Sequence, residues 1–288
     1  MNSHIELRIF PFYDHSSIER HLESRARSGW RVDGVGALFH YHRAEPSEVK
    51  YAVVYVEDSG FWTPPNESEL SFEEFCEEAG WELVAEHHKL KVFCNENSNA
   101  VPLETEPQIQ VNNIRMCSIK FVLDNILLML GWLFLIAWNC LPYIRSHSLT
   151  AHPDAMLQGV IYLGFLLVSA DELVTYARWV HRAEKNAKVR EFTPTRSHYR
   201  FQTALYAALL CVYPVYSFFR SDGSWLSLVF TILGAVLILY PMTVQPMINF
   251  RLRKRGASGL VNWFFCNGVI AVAVVVSIIF IVKWIEVK

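Results

Sequence analysis

The sequence lacks the short motifs that mark common catalytic and nucleotide-binding sites. It contains no G-x-G-x-x-G, no lysine-containing phosphate loop, no H-E-x-x-H and no G-x-S-x-G. Six cysteines are present without a C-x-x-C, and the chain does not open on a cleavable signal. We therefore predict a protein that is not an enzyme, that binds no metal and no cofactor, and whose N-terminal part remains in a reducing compartment.

Positive charge is scarce in the first part of the chain. Residues 1–110 contain 9 Lys and Arg against 20 Asp and Glu, whereas residues 111–288 contain 17 against 8. An acidic region repels phosphates, so the soluble part is not expected to bind nucleic acid. With 52% hydrophobic residues and a mean hydropathy of +0.19, the chain is too apolar for an ordinary soluble domain and too polar to lie wholly in a membrane.

Long apolar segments fill the second part of the chain. Five of them are long enough to cross a bilayer: residues 121–141, 156–180, 201–219, 225–247 and 260–284. Two of the four loops between them are basic, and they contain Arg182, Lys185, Lys188, Arg190, Arg196 and Arg200, and then Arg251, Arg253, Lys254 and Arg255. Since basic loops stay in the cytoplasm, we predict a multi-pass cell-membrane protein with its N-terminus cytoplasmic and its C-terminus outside.

Residues 1–95 are predicted to form an α+β domain from two copies of a strand–helix–strand–strand unit. The helices are expected at His15–Trp30 and Ser71–Gly80. Gly29-Trp30-Arg31-Val32 corresponds to Gly80-Trp81-Glu82-Leu83, each combining a helix stop with a strand start. Two βαββ units predict one six-stranded, ferredoxin-like sheet with both helices on one face.

Residue periodicity predicts which faces of these elements are buried. In the first strand, Ile5, Leu7 and Ile9 alternate with polar residues and are expected to face the core. Ser71 and Glu74 predict a capping box at the start of the second helix. The helix residues expected to point inward are Ile18, Leu22 and Ala26 in the first helix, and Phe72, Phe75, Cys76 and Ala79 in the second.

A polar segment follows the α+β domain. Residues 96–116 are rich in Asn, Glu, Gln and Pro and are predicted to be a flexible tether. The membrane domain of about five helices is then expected over residues 117–288, with the lipid bilayer as its partner.

The N-terminal domain resembles a known family. The residues that carry the likeness are Arg8, Phe10, Tyr13, Asp14, Leu22, Ala26, Gly29-Trp30, Tyr41, Tyr51 and Gly80-Trp81. They resemble the domain-of-unknown-function family 2812, bacterial proteins that pair such a cytosolic domain with C-terminal membrane spans. The resemblance covers roughly residues 1–100 and implies a regulatory role, because genes of this family often lie beside PadR-like transcription regulators. It implies no catalytic residue.

Polar residues within the predicted spans form a candidate site. Charged groups inside a membrane are costly, so they are functional candidates by default. The candidates expected together at the cytoplasmic side of the helices are Asp124, Asp171, Glu172, Gln245 and Asn249. Two interpretations stay open: a site for an ion, a peptide or a lipid headgroup, or hydrogen bonds that hold the helices together.

Two further surfaces are candidates for contact with partners. Phe61 and Trp62 lie in a loop that also contains two prolines, and aromatic anchors dominate interface energies. The alternative for this loop is a turn packed over the sheet edge. The basic cytoplasmic loops are candidates for self-docking with the acidic domain, although the orientation rule explains them without that role.

These observations predict a non-enzymatic integral membrane protein with a cytosolic protein-binding domain, of regulatory or signal-sensing function. The alternative is a membrane accessory or immunity factor that handles a peptide or small molecule through the intramembrane polar cluster.

Overall fold

The chain folds into two compact units in a computed structural model, which describes residues 3–56, 67–87, 89–195, 198–220, 245, 248–252 and 255–268. The first, called here the α+β unit, comprises Met1–Phe10, His15–Thr105 and Ser224–Lys288. The second, the helical unit, comprises Pro11–Asp14 and Glu106–Gly223. The coarse expectation of a sheet region with helices followed by a long helical region is confirmed.

The α+β unit contains two three-stranded antiparallel sheets. The first has the order β1-β3-β2 and the second the order β4-β6-β5. The strands are β1 (Ser3–Leu7), β2 (Trp30–Gly34), β3 (Leu38–Arg43), β4 (Lys50–Tyr55), β5 (Glu82–His87) and β6 (Leu90–Asn95). The helices are α1 (His15–Arg27) and α2 (Glu67–Glu78). Predicted α1 residues Ile18, Leu22 and Ala26 are buried, as expected.

The two Gly-Trp pairs occupy equivalent places. Gly29 and Gly80 adopt left-handed backbone angles, with φ of +79° and +80°, after α1 and α2 respectively. Strand β2 begins at Trp30, and β5 begins one residue after Trp81. Each of these strands then has a register shift two residues beyond its tryptophan, between Val32 and Gly34 and between Leu83 and Ala85.

The expectation of one six-stranded sheet is wrong, because the described strands pair in two separate sheets. At the outer edge of β4 the backbone N–H of Val53 donates to Glu19 Oε1 of α1 at 2.9 Å, so this N–H does not pair with another strand. The irregularities in β2 and β5 also disturb the outer strands, since a bulge increases local twist and interrupts a regular ladder.

The predicted inward face of β1 is also wrong. Ile5 is 57% exposed, whereas Glu6 is buried on the opposite face. Glu6 faces inward because Arg25 and His21 of α1 form hydrogen bonds with its carboxylate. These partners satisfy a charge that would otherwise be costly to bury.

Helix α2 begins earlier than expected, and its predicted inward face is confirmed only in part: Cys76 is buried and Phe72 packs against the same hydrophobic cluster. It starts at Glu67, so Ser71 lies inside the helix, where its hydroxyl donates to the Glu67 carbonyl at 2.8 Å instead of forming the predicted cap. The buried residues are Glu69 and Cys76, seven positions apart on one face. Phe75 and Ala79 lie off this face and are exposed.

The predicted flexible tether over residues 96–116 is a further correction. Ala100 belongs to a hydrophobic cluster with Trp81 and Phe93, and Leu103 packs against it. The indole N–H of Trp81 donates to the Val101 carbonyl at 3.2 Å. Helix α3 then starts at Pro107, where proline suits the first turn. Asparagines account for part of the polar composition, since Asn95 Oδ1 accepts the Asn97 N–H at 2.8 Å and Asn97 Oδ1 accepts the Asn99 N–H at 3.0 Å.

The helical unit contains α3 (Pro107–Arg145), α4 (Pro153–Ala187) and α5 (Tyr199–Arg220). Helices α3 and α4 form an antiparallel pair. Near one end Arg115 is 3.0 Å from Glu184, and towards the other the rings of Trp132 and Phe165 stack with centroids 4.9 Å apart.

Two helices in the described part of the chain are long and apolar enough to cross a membrane. They are α3, with a hydropathy of 2.0 over its most apolar window, and α4, with 1.5. They include the first two predicted spans, and α5 includes the third. The fourth span (225–247) lies outside the described residues except for residue 245, and the fifth (260–284) is described only to residue 268.

The two left-handed glycines are expected to differ in the cost of their substitution by alanine. A Cβ at Gly29 would come within 2.9 Å of the Ala44 carbonyl oxygen, whereas at Gly80 the nearest atom is the Asn95 side-chain nitrogen at 3.3 Å. We expect Gly80→Ala to cost about 1–2 kcal/mol of unfolding free energy from backbone strain alone. Gly29→Ala should cost about 1 kcal/mol more, because a backbone carbonyl has to move. Denaturant titration of the two variants measures the difference, and a larger loss for Gly80→Ala would contradict this account.

Candidate functional site

An open polar pocket of about 210 Å³ lies in the α+β unit. It is formed by the C-terminal half of α1, the start of β4 and the segment after β6. Its lining residues are Glu23, Arg27, Glu48, Val49, Lys50 and Ser98. Two carboxylates and two cations therefore surround it, so charges of both signs are available to a small polar ligand.

Glu19 lies one helical turn before Glu23 and connects the pocket region to the sheet. Its carboxylate accepts the Val53 N–H bond described above. Burial, with added repulsion from Glu23 and Glu104, raises the pKa of Glu19 to about 8, although the Val53 hydrogen bond and Lys50 oppose this rise. At neutral pH the side chain is therefore largely protonated, and it accepts the Val53 hydrogen bond without carrying a buried negative charge.

A buried ionic cluster joins α1 to the first sheet. Glu6 of β1 accepts hydrogen bonds from Arg25 and contacts His21 at 3.1 Å, and His21 is 3.1 Å from the Tyr41 hydroxyl. Burial alone would raise the pKa of Glu6, but the Arg25 hydrogen bond and the nearby charges of His21 and Arg8 lower it overall. Glu6 therefore remains ionised.

A second ionic cluster joins α2 to the second sheet. Lys91 of β6 is fully buried and donates a hydrogen bond to Glu73. Its ammonium also lies 3.2 Å from Glu69 and 3.8 Å from Glu86. Burial by itself lowers the pKa of Lys91, but these carboxylates produce a net upward shift. The lysine is therefore charged and shared among three acids.

The acids of the predicted polar cluster differ in their exposure. Asp124 on α3 and Asp171 on α4 are exposed, whereas the adjacent Glu172 is buried. No hydrogen bond or ion pair joins Asp124 to either α4 acid among the residues described. Glu172 instead contacts α5, where the Tyr206 hydroxyl donates to its carboxylate at 3.4 Å.

Gln245 and Asn249 belong to the α+β unit and are both buried. The side-chain amide of Asn262 donates to Asn249 Oδ1, and the thiol of Cys266 lies 3.3 Å from Asn262 Oδ1. The same thiol is 3.9 Å from the Gln245 carbonyl. Asn249 thus takes part through its side chain, and Gln245 through its backbone carbonyl.

The remaining sequence candidates are distributed as follows. Phe61 and Trp62 lie outside the described residues. Of the second basic loop, Arg251 lies close enough to His40 that its charge, together with burial, lowers the pKa of that histidine. The negative charge of Asp33 acts in the opposite direction and raises the pKa of His40.

An aromatic group that the sequence did not single out lies in the helical unit. The Tyr13 ring packs against Tyr176 and Trp179 with centroids 5.2 and 5.7 Å away, and Phe12 stacks on Phe121. Burial raises the pKa of Tyr13, and the negative charges of Asp14, Glu172 and Asp171 add to the rise. Tyr13 lies in the short segment between β1 and α1, where the sequence shows no residue periodicity that would predict burial.

Comparison with known families places the N-terminal part of the chain. Residues 14–123 match the family model DUF2812, described as a protein of unknown function. This part of the chain is a DUF2812 region. The family expected from the doubled Gly-Trp pattern is thus confirmed, and the match continues beyond both sheets into α3. No curated protein and no solved structure matches the sequence.

The DUF2812 region contains the polar pocket and the complete Lys91 cluster. Glu6 lies before the region, although its partners His21 and Arg25 lie within it. All five residues of the predicted intramembrane cluster fall outside it, with Asp124 one position beyond its end. The family match therefore bears on the α+β unit and says nothing about those acids.

Glu19 in the DUF2812 region predicts a pH dependence of stability. Its folded pKa of about 8 exceeds the ordinary value of 4.5, so between these values the folded state binds more protons than the unfolded state. Stability should consequently fall as pH rises through this window. We expect Glu19→Gln to become more stable relative to wild type at pH 8.5 than at pH 5, because glutamine keeps the Val53 hydrogen bond without ionising.

Thermal unfolding of both proteins across pH 5–9 measures this difference. Glu77→Gln, at an exposed position of α2, is the matched control and should track the wild type. A constant difference between Glu19→Gln and wild type across the range would show that Glu19 does not titrate in this window.

Proposed function

We propose that this chain is a non-enzymatic, multi-pass membrane protein whose cytosolic α+β unit binds a protein partner in a regulatory or sensing role. The N-terminus is cytoplasmic and the C-terminus lies outside. The regulatory part of the proposal comes from the association of the resembling family with PadR-like regulators.

The surface of α3 is the observation that carries the membrane part of this proposal. Only 6% of its most apolar window is buried inside the protein. The large apolar side chains that it exposes include Leu123, Ile126, Leu127, Leu130, Leu133, Phe134 and Trp138. A continuous apolar surface of this length is unfavourable in water and is stabilised by hydrocarbon.

The orientation rests on the loops that flank α4. The turn before α4 follows a single basic residue, Arg145, whereas Arg182, Lys185, Lys188 and Arg190 cluster at and after its C-terminal end. This difference supports a cytoplasmic location for the end of α4. With a cytoplasmic N-terminus, α3 and α4 then cross the membrane out and back.

The fold proposal is a duplicated, ferredoxin-like βαββ arrangement followed by an all-α polytopic domain. Its support is the shared strand order, first-third-second in each half, and the equivalent left-handed glycines and register shifts.

The outward face of α2 supports partner binding. Phe75 is 62% exposed and Leu70 is 46% exposed, and six of the twelve residues of α2 are glutamates. An exposed aromatic surrounded by acids favours a partner with a basic surface around an apolar pocket. The basic loops of this chain offer the same charge, so self-docking is one form of this interaction.

A second candidate function is a membrane accessory or immunity factor that handles a peptide or small molecule. The buried Glu172 favours it, because a carboxylate within an apolar helix is a functional candidate.

Cysteine labelling tests the topology. We expect Ser146→Cys, in the turn between α3 and α4, to react with an impermeant maleimide added to intact cells. Lys188→Cys, after α4, should react only after permeabilisation. Both positions are exposed, which makes them a matched pair, and the unmodified protein sets the background from the native thiols. Labelling of Lys188→Cys in intact cells would invert the orientation and remove the cytosolic role.

Photo-crosslinking tests the partner surface. A benzophenone amino acid at position 75 of the full-length protein should give a discrete crosslinked species in cells, whereas the same group at exposed Glu45 should not. Leu70→Ser should reduce the yield roughly tenfold if it removes about 1.4 kcal/mol of interface energy. Identical crosslinks at positions 75 and 45, or none at either, would count against a docking face on α2.

A further inference from the structure

We propose that the contact between α4 and α5 holds one monovalent metal cation, bound by Glu172 together with Gln202 and Tyr206. This inference goes beyond the proposed function, since it does not depend on what the α+β unit binds.

The packing of α4 on α5 sets the relative level of their residues. A Cβ at Gly164 would lie 2.9 Å from Leu209 Cδ2, so these two positions meet closely. One turn away, the rings of Phe165 and Tyr206 lie with centroids 6.1 Å apart. The helices are consecutive and joined by a connection of eleven residues, and the later part of α5 meets the earlier part of α4, so they run antiparallel.

This register brings Gln202 to the level of Glu172. Tyr206 contacts both Phe165 and Glu172, which lie seven residues, or about two turns, apart on α4. Gln202 lies four residues before Tyr206 and seven before Leu209, and therefore shares their helix face. Because Leu209 meets Gly164 and the two helices are antiparallel, Gln202 lies level with the turn of α4 that contains Asp171 and Glu172.

Glu172 has no cationic partner among the residues that the structure describes. The side chain is only 6% exposed, and no Lys, Arg or His nitrogen lies within 4.0 Å of it in the described part of the chain. The Tyr206 hydroxyl at 3.4 Å is a long and neutral donor. A buried carboxylate is stable only when it is paired with a cation or protonated.

Gln202 is the second, independent observation. It is also 6% exposed, and its Oε1 atom is buried with no hydrogen-bond partner among the residues described. An unpaired buried carbonyl oxygen is uncommon in folded proteins and calls for an explanation. A cation between the two helices satisfies this oxygen and the Glu172 carboxylate together. Buried Ser169, one turn before Glu172, offers a further oxygen.

The donor set favours a monovalent alkali cation. Carboxylate, amide, phenol and hydroxyl oxygens are ligands for hard cations, and nitrogen or sulfur ligands for transition metals are missing from this set. One carboxylate balances a single positive charge. A divalent ion would leave a net charge in a buried position, so Na⁺ and K⁺ are the candidates.

The test uses the purified full-length protein in detergent, with NaCl or KCl exchanged against choline chloride at constant ionic strength. We expect the midpoint of thermal unfolding to rise with Na⁺ or K⁺ and then saturate, by about 5 °C when the ion exceeds its Kd about 100-fold. Glu172→Gln should abolish the rise, and Gln202→Ala should weaken binding at least tenfold. Asp171→Asn is the matched control: it removes the adjacent, exposed carboxylate and should respond like the wild type.

Equilibrium dialysis with radioactive ²²Na⁺ or ⁸⁶Rb⁺ provides a second measurement that does not depend on the folding of any variant. One ion bound per wild-type chain supports the proposal. No specific binding by the wild type overturns it, as does a midpoint that responds to pH but not to the cation, which would show a proton on Glu172. Equal loss of the response in Glu172→Gln and Asp171→Asn would also overturn the assignment.

Discussion

Lys91 shows the physical constraint on which the α+β unit depends. Lys91 is the second residue of β6, the central strand of its sheet, and its ammonium is buried only because α2 and β5 surround it with carboxylates. Removal of the lysine would leave three acids close together without a cation, and removal of Glu73 would take away its hydrogen bond. Such clusters are not strong sources of net stability, since desolvation offsets much of the attraction. Their effect is to fix which elements pack together.

The first sheet meets the same constraint with the charges reversed. There the strand supplies the acid, Glu6, and helix α1 supplies the cation, Arg25, whereas in the second sheet the strand supplies the cation and α2 the acids. Exchange of the two helices would place Arg25 against Lys91 and would leave Glu6 facing glutamates. Like charges at close range are strongly unfavourable. The reversed charges therefore determine which helix packs on which sheet, although the two sheets have the same strand order.

Local signals in the sequence predicted the elements better than their faces. The two Gly-Trp pairs mark the helix stops, because a left-handed glycine acts within a few residues of chain. Alternation failed at β1 because it treats Glu6 as a surface residue, while the groups that allow its burial lie fifteen and nineteen positions further along the chain. The division into two sheets was equally hidden, since the hydrogen bond from Val53 to Glu19 joins residues far apart in sequence.

Hydropathy predicted the long helices but did not predict which of their polar residues are buried. Asp171 and Glu172 are adjacent and chemically alike, yet a rotation of about 100° between successive helical residues exposes one and buries the other. Which of them is buried depends on where α5 packs, and the α5 pattern alone does not encode this.

Two groups of buried polar side chains differ in whether their donors and acceptors can form hydrogen bonds with each other. Asn262 and Asn249 each carry donors and acceptors, so the Asn262 amide donates directly to Asn249 Oδ1, while Asn262 Oδ1 lies 3.3 Å from the Cys266 thiol. An ionised carboxylate only accepts hydrogen bonds, and Gln202 presents a second buried acceptor on the opposing helix. In the described part of the chain the Glu172 carboxylate has one long hydroxyl contact, and Gln202 Oε1 has no hydrogen-bond partner. The proposed cation would satisfy both oxygens, whereas the Asn262–Asn249 contact needs no ion. This difference arises from one residue type, glutamate, at one face of α4.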